Sequence, residues 1–347
     1  MWIWTHAADC CRLRIESKME NRRIINQKID DRYVDLFRSL YGNEKNIEYF
    51  VSDIQQSIDY CHAEKNILTI ISEEGGVLLG HCSLILPKNE NDGIAYFGFF
   101  ELTSKKVFEE FWKSVVAEAK NLKLKKLIGP VNGSIWFPYR FIATSDGSQL
   151  FKGELPTDLA YHDCFAHMEQ GRITTYSSGV REKYDFIIDA TMEPYELVKR
   201  SGLEITALKE MTAKLLEELQ IISTEVFASA SVAYEPFPGK YFLQLYGGKP
   251  SGLFRVYLAS DAGKIVGFCF MIYEDEQTAI LKTLAVHPVF QKRGIASALI
   301  HVVHRDAKKE GIEKIIYALV RDDNNIKAFP ENGVSIIRTY SLFDLNI

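Results

Sequence analysis

Apolar and polar positions follow the same order in two distant parts of the chain. Residues 72–85 contain two apolar strands joined by an acidic, glycine-containing turn, which is typical of a β-hairpin, and residues 260–272 repeat this pattern. In each copy a strand, a long helix and another strand follow, at residues 94–102, 104–120 and 125–131 in the first copy and 279–286, 293–309 and 313–320 in the second. The repeat predicts a duplicated α/β unit, or else two unrelated domains that share this order of elements.

The segments between the two copies set the expected domain boundary. Residues 181–188 are interpreted as the last strand of the first unit, and residues 209–229 as a long amphipathic helix of the second. We therefore divide the chain near residue 189, into one domain of residues 19–189 and another of residues 190–347. Residues 1–18 are either an upstream extension without fold information or the true start of the protein.

Composition narrows the class of protein. A length of 347 residues fits two domains of roughly 150 residues each. The net charge of −5 offers no basic field for nucleic acid or anionic lipid. None of the six cysteines stands in a CxxC pair or at zinc-ligand spacing from a histidine, so we expect no metal site and no disulfide framework. Charged residues interrupt the apolar start of the chain, so we expect no membrane span and a cytoplasmic location.

The most informative stretch is residues 284–300, where an apolar strand ends at Pro288 and an amphipathic helix begins near Gly294. The turn between them leaves backbone amides unpaired at the positive end of the helix dipole, which is a favourable place for an anion. Gly294 allows close approach of a pyrophosphate, while Lys292 and Arg293 add positive charge. The stretch therefore predicts a phosphate-binding turn.

This turn resembles the Q/R-x-x-G-x-G/A signature of the GNAT superfamily of acyl-CoA-dependent N-acyltransferases, with Gln291, Gly294 and Ala296 at the matching positions. The resemblance covers residues 190–347 and implies two tandem GNAT-like domains of α/β (α+β) class, each with a mixed, mostly antiparallel sheet flanked by helices. It implies acetyl-CoA or coenzyme A as co-substrate, with no metal. The implied contacts to the coenzyme are Leu284, Ala285, Val286, Gln291, Lys292, Arg293, Gly294, Ile295, Ala296, Ser297, Asn325 and Phe329.

Catalytic groups are less well defined than the coenzyme turn. Many members of the superfamily have a tyrosine that protonates the departing thiolate, but this chain has Phe329 there, which leaves Tyr340 or Tyr317 as substitutes. Some members have a carboxylate base on the strand before the turn, where this chain has Ile280. Glu276, with Glu274, is the nearest alternative, acting through water. We therefore predict Glu276 and Tyr340 as catalytic residues.

The first copy lacks the coenzyme turn, since residues 101–107 contain no glycine. It is thus a degenerate GNAT-like domain for substrate recognition or support, and its segment 129–140 either holds an aromatic or acidic ligand or packs inward. The predicted activity is direct transfer of an acyl group, by expectation acetyl, to a primary amine of a small-molecule or peptide acceptor. The alternatives are a catalytically silent coenzyme A sensor and a Fem-type aminoacyl transferase. A monomer is expected in preference to a homodimer.

Overall fold

The computed structural model describes residues 28–87, 93–168, 171–228, 237–246, 253–323 and 333–347. The elements of the first half are α1 (Arg32–Tyr41), α2 (Ile47–Glu64), β1 (Asn66–Glu74), β2 (Val77–Leu86), β3 (Ile94–Leu102), α3 (Phe108–Asn121), β4 (Lys126–Gly129), β5 (Phe141–Ser145), α4 (Ala160–Ala166) and β6 (Gly171–Arg181). Those that follow are α5 (Asp185–Arg200), β7 (Glu204–Leu208), α6 (Ala213–Phe227), α7 (Gly239–Tyr246), β8 (Phe254–Asp261), β9 (Lys264–Tyr273), β10 (Thr278–Val286), α8 (Ile295–Lys309), β11 (Lys314–Arg321) and β12 (Ser335–Asn346). The order hairpin, strand, helix, strand recurs as β1–β2–β3–α3–β4 and β8–β9–β10–α8–β11, which confirms the predicted order of elements in both halves.

All the strands belong to one mixed sheet with the order β1-β2-β3-β4-β12-β6-β11-β10-β9-β8-β7, and β5 pairs with β12 beside this path. The pairs β3–β4 and β10–β11 are parallel, and the other pairs are antiparallel. A mostly antiparallel sheet flanked by helices was expected and is confirmed. The two halves exchange strands, since β12 lies between β4 and β6 and β6 in turn lies beside β11.

Helices cover both faces of this sheet in the second half. Along β9, Phe268 and Phe270 are buried in a cluster that also contains Leu219 of α6, whereas Cys269 and Met271 are buried with residues of α8 such as Leu299. This alternation is the period of two expected for a strand covered on both faces. Helices α6 and α8 therefore lie on opposite faces of the sheet.

The predicted strand at residues 181–188 is wrong. β6 ends at Arg181, and α5 begins at Asp185. The apolar run in this segment is helical because Ile187, Thr191 and Val198 face inward at helical spacing, in helix α5 that packs on α8. Residue 189 thus lies inside a helix, and the connection between β6 and α5 is residues 182–184. Residues 1–18 lie outside the described part of the chain.

A buried carboxyl group marks the first half. Glu101 of β3 is 3% exposed, and its Oε2 accepts hydrogen bonds from Tyr41 Oη (2.9 Å) and Tyr161 Oη (3.0 Å). Burial raises the pKa of Glu101 to about 8, although the two hydrogen bonds act in the opposite direction. Burial therefore favours the protonated form of Glu101 in the folded protein. Among the described helices, none combines the length and apolar character needed to cross a membrane.

Candidate active site

The turn between β10 and α8 is shaped by two residues with left-handed backbone. Gly294, which precedes α8, has φ of 79°, and Lys292 has φ of 62°. Before them, Phe290 N donates to His287 O and Gln291 N donates to Pro288 O, which closes a short 3-10 turn. The amides of residues 292–297 have no acceptor within the described part of the chain, because the first bond of α8 is that of Ala298 N to Gly294 O. Six amides therefore face outward at the positive end of α8, as an anion site requires.

Side chains of the turn hold its shape. Gln291 Nε2 donates to Val286 O at 3.1 Å, and the Arg293 guanidinium lies 4.9 Å from the centroid of the Phe290 ring. His287 Nδ1 accepts from Val289 N, and His287 Nε2 lies 2.6 Å from Glu225. Gln291 therefore fixes the turn through its side chain, while the backbone amides remain available to a ligand.

Gly294 also lies against α5. A Cβ atom at this position would lie 3.7 Å from both Pro194 and Val198, which is ordinary van der Waals contact. Space therefore permits a small side chain there, and the requirement for glycine comes from the backbone angle.

Strands β10 and β11 separate beside this turn. Their parallel pairing covers Thr278 to Leu281 on β10 and Lys314 to Tyr317 on β11, and ends with the pair Leu281–Tyr317. Beyond it, β10 stays paired with β9 and β11 stays paired with β6, each after a register shift. The register shift in β10 is a bulge at Lys282, and the shift in β11 includes Leu319 with φ of 55°. The two strands thus form a V whose closed end is at Leu281 and Tyr317.

A cleft of about 640 Å³ runs through this V. It is lined on one side of the sheet by the start of α8 and on the other by α6 and the first half of the chain. The lining residues are Ile135, Trp136, Tyr139, Arg140, Tyr176, Val226, Phe227, Leu281, Lys282, Thr283, Leu284, Val286, Phe290, Gln291, Lys292, Gly294, Ile295, Ala296, Ser297, Tyr317, Ala318, Leu319, Val320 and Arg321. The cleft therefore joins the outward-facing amides to the V between the strands.

Most residues expected to contact the coenzyme line the cleft, but not all of them. Ala285 is buried on the α6 side of β10, and Arg293 stacks on Phe290 without lining the cleft. Asn325 and Phe329 lie outside the described residues. Ala285 is absent from the cleft lining because successive side chains of a strand point to opposite faces of the sheet. Leu284 and Val286 face the cleft, so Ala285 between them points away from it.

Tyr317 lies at the closed end of the V and is hydrogen-bonded to a buried base. Its Oη is 2.6 Å from His304 Nε2, and His304 Nδ1 lies 2.7 Å from the carbonyl oxygen of Ile300. A carbonyl only accepts, so Nδ1 carries the proton of the neutral ring, and Nε2 accepts from Tyr317. Burial lowers the pKa of His304 to about 4 and raises the pKa of Tyr317 to about 12, with the nearby Arg181 opposing the rise at Tyr317.

Tyr340, one of the two predicted catalytic residues, does not line the cleft. It is 2% exposed, and its hydroxyl donates to the Glu154 carboxylate and lies 3.0 Å from Ser178 Oγ. Ser178 Oγ accepts from Leu319 N at 2.9 Å, and Arg338 Nε is 2.7 Å from Glu154. Tyr340 is therefore part of a buried network that holds the bulged backbone of β11.

Glu276, the other predicted catalytic residue, is exposed in the turn between β9 and β10. The paired segment from Thr278 to Leu281 separates this turn from the V, and Glu276 does not line the cleft. The apparent proximity in sequence is misleading because a four-residue strand segment spans roughly 13 Å. Glu274 is engaged elsewhere, since it accepts from Lys152 N at 2.9 Å.

The first half contributes a wall of the cleft that sequence reasoning resolved only in part. Within segment 129–140, Trp136, Tyr139 and Arg140 all line the cleft. Trp136 and Tyr139 are largely buried, and Arg140 lies beside Tyr176 of β6. The segment packs into the core and also forms part of the cleft wall, while its contact with a ligand stays a prediction. The signal for Tyr176 is absent from the sequence, because its position depends on strand pairing over a long separation.

Among the described residues there is no group of three or more His, Cys, Asp or Glu side chains that could hold a metal ion.

Comparison with known proteins agrees with this geometry. The family model described as acetyltransferase (GNAT) family matches residues 216–330. The mycothiol acetyltransferase of Nocardiopsis dassonvillei is 30% identical over 122 residues, which are 34% of this chain and 35% of that protein. The similarity thus spans about a third of the length of that relative.

Two solved structures share the fold over nearly the whole chain. A tandem GNAT protein from the clavulanic acid biosynthesis pathway matches with a TM-score of 0.54 at 11% identity, over 91% of this chain and 94% of that one. A probable N-acyltransferase of Enterococcus faecalis V583 matches with the same TM-score and identity, over 91% of this chain and 69% of that one. At this level of identity the similarity concerns the fold alone.

Proposed function

Because residues 216–330 form a domain of the acetyltransferase (GNAT) family, we propose that this chain transfers an acetyl group from acetyl-CoA to a primary amine. The observation that carries the proposal is the cleft, which connects unpaired amides at the start of α8 with the V between β10 and β11. An anion-binding turn and an open strand edge, joined in one cavity, suit a molecule with a pyrophosphate at one end and an extended amide-containing arm.

The residues present fit such a co-substrate. The amides of residues 292–297 would hold the pyrophosphate, with Lys292 adding charge. Beyond Leu281 the edge of β10 that faces β11 has no strand partner among the residues that the structure describes, so its backbone groups would pair with the pantetheine arm as an added strand would. Leu284 and Val286 lie along this edge of the cleft.

Residues at the closed end of the V would handle the proton. In the overall reaction the amine nitrogen loses one proton and the thiolate gains one, so a group that accepts and then returns a proton suffices. Tyr317 Oη can accept from the amine while it donates to His304 Nε2, and the reverse movement delivers the proton to the sulfur. This relay needs no carboxylate, and the described lining of the cleft contains none.

A binding measurement tests the coenzyme part of the proposal. Acetyl-CoA and coenzyme A are titrated calorimetrically into the wild type, Gly294→Glu and Gly294→Ala. Both variants carry the same left-handed backbone cost, but only glutamate places a carboxylate among the outward-facing amides. We expect binding by the wild type and Gly294→Ala and none by Gly294→Glu. Absence of binding by the wild type would overturn the proposal.

Turnover is then tested with a panel of primary amines, by the release of free thiol from acetyl-CoA. A coenzyme A sensor is a second candidate function, favoured by the lack of a carboxylate in the described lining of the cleft. A sensor would bind the coenzyme and release no thiol with any amine, whereas an acetyltransferase would release thiol in proportion to the acetylated product.

A further inference from the structure

The charged side chains that line the cleft all have the same sign. They are Arg140, Lys282, Lys292 and Arg321, and no Asp or Glu accompanies them in the described lining. Lys292 belongs to the turn before α8, and Arg321 is paired with the carboxylate of Asp323. Arg140 is the cation of the opposite wall, which the first half of the chain supplies.

Arg140 is held by aromatic rings rather than by a carboxylate. The carbon of its guanidinium lies 3.8 Å from the ring centroid of Tyr139 and 4.0 Å from that of Tyr176. One terminal nitrogen donates to Tyr139 Oη at 2.6 Å, and the buried Nε has no partner within the described chain. Two ring faces stabilise the cation and fix the plane of the fork without neutralising its charge.

The backbone beneath this side chain is strained and firmly anchored. Arg140 has φ of 90°, a conformation rarely adopted by residues other than glycine. Two residues before Arg140, the carbonyl oxygen of Pro138 accepts from Asn132 Nδ2 at 3.1 Å, and the following residue, Phe141, begins β5, which pairs with β12. Such strain persists only where the surroundings determine it, and it is concentrated at ligand-binding positions.

Arg140 faces the V from the side of the sheet opposite to the start of α8. Its stacking partner Tyr176 belongs to the buried cluster that includes Leu219 of α6. Tyr176 is also paired with Arg321 of β11, next to the open part of the V. Arg140 and the amides of residues 292–297 therefore line the same cleft from opposite faces of the sheet, so an acceptor held at Arg140 would leave the turn before α8 free for the coenzyme.

We propose that Arg140 is the binding site for a carboxylate on the acceptor, so that the substrates are amino acids or closely related amines with a free carboxylate. This inference rests on the proposed acetyl transfer and names its substrate class. The planar fork of an arginine matches the two oxygens of a carboxylate, and a charge-assisted pair of this kind in a partly enclosed cleft is strong. A neutral amide in its place would leave the guanidinium without a counter-ion.

The test compares matched acceptors. The twenty protein amino acids and their carboxamides are assayed by thiol release with the wild type, Arg140→Gln, Arg140→Lys and Arg305→Gln. Arg305 is the matched control, since it also lies near a tyrosine ring, that of Tyr195, but does not line the cleft. We expect the wild type and Arg305→Gln to prefer the carboxylate member of a pair by about tenfold to a hundredfold in kcat/KM, Arg140→Gln to lose this preference and Arg140→Lys to keep part of it.

Several outcomes would overturn the subsite. One is equal rates of the wild type with the amino acid and the carboxamide of every pair. Another is a preference for the carboxylate that survives in Arg140→Gln. The third is weaker acetyl-CoA binding in Arg140→Gln, which would assign Arg140 to the coenzyme. The first outcome needs no variant and is decisive even if Arg140→Gln fails to fold.

A different outcome is that none of the acceptors causes the wild type to release thiol. That result would overturn the proposed acetyl transfer but would leave the carboxylate subsite undecided. The subsite is then tested by the fluorescence change of Trp136 on titration of the same amino acids and carboxamides into the coenzyme A complex, with a Trp136→Phe reference. Saturable binding of carboxylates alone would retain the subsite, and the absence of such binding would overturn it.

Discussion

The hydroxyl of Tyr317 is hydrogen-bonded to Nε2 of His304 at 2.6 Å, and Tyr317 is the last residue of β11 that pairs with β10 before the two strands separate. This contact joins a side chain of the cleft to a buried neutral imidazole on α8. In the proposed reaction this pair takes up and returns a proton without a carboxylate. The three residues that produce it, Tyr317, His304 and Ile300, lie on two elements that are consecutive along the chain.

Removal of the Tyr317 hydroxyl is expected to lower kcat without a matching change in coenzyme affinity. Tyr317→Phe keeps the ring and removes the proton carrier, so kcat should fall by about 10²-fold to 10⁴-fold. The measurement is thiol release beside calorimetric titration of acetyl-CoA. Glu276→Gln is the control, since this exposed side chain lies beyond the paired segment of β10, and it should leave kcat unchanged. Equal kcat in Tyr317→Phe and wild type would show that the relay is not used.

The pair Gly294→Ala and Gly294→Glu separates backbone strain from ligand exclusion. Each variant forces a residue with Cβ into φ of 79°, at a cost of about 1–2 kcal/mol in the free energy of unfolding. Denaturant unfolding should therefore show similar losses in both, while only Gly294→Glu loses coenzyme binding. Equal affinity of the two variants for coenzyme A would contradict the assignment of the anion site.

Tyr340 is expected to contribute to stability and only indirectly to the reaction. In Tyr340→Phe the buried Glu154 loses a donor, and Ser178 Oγ loses a partner next to the bulge of β11. The free energy of unfolding should fall by about 1–3 kcal/mol. In a folded sample the loss in kcat should be much smaller than that of Tyr317→Phe. A reversed order of the two variants would restore Tyr340 as the proton carrier.

Glu101 predicts a dependence of stability on pH. Burial raises its pKa from 4.5 to about 8, so the folded protein keeps a proton that the unfolded chain releases above pH 4.5. The associated stabilisation is full below pH 4.5 and is lost as the pH rises through 8. The free energy of unfolding of the wild type, relative to Glu101→Gln, should fall across this window by at most about 1.4 kcal/mol per pH unit. A difference that stays constant from pH 5 to 8 would show that Glu101 is ionised in the folded protein.

The sequence predicts the individual helices, strands and turns of this fold far better than it predicts which of them lie next to one another. Both hairpins, the helix that became α8 and the turn at Gly294 follow from local apolar spacing and turn chemistry, which act over a few residues. The apolar run around Ile187 was misinterpreted as a strand because a short run does not distinguish a strand from a buried helix turn.

The site shows the same limit. The residues around Gly294 were predicted because a turn is local, whereas the surroundings of Tyr340 and Arg140 depend on pairing across more than a hundred residues. Tyr340 meets Glu154 only because β12 pairs with β5, the strand that precedes Glu154 along the chain. Arg140 faces the cleft only because Tyr176 of β6 is drawn next to β11. Neither pairing has a signal in the local pattern.

The position of β12 has a consequence for synthesis on the ribosome. This strand is translated after every other strand described, yet it pairs with β4 and β5 of the first half and with β6. Until β12 is translated, the edges of β4 and β6 that pair with it remain without a strand partner and are exposed to neighbouring nascent chains. The first half cannot complete its sheet until β12 has been synthesised, so a nascent chain stalled before residue 335 should depend on chaperones to stay soluble.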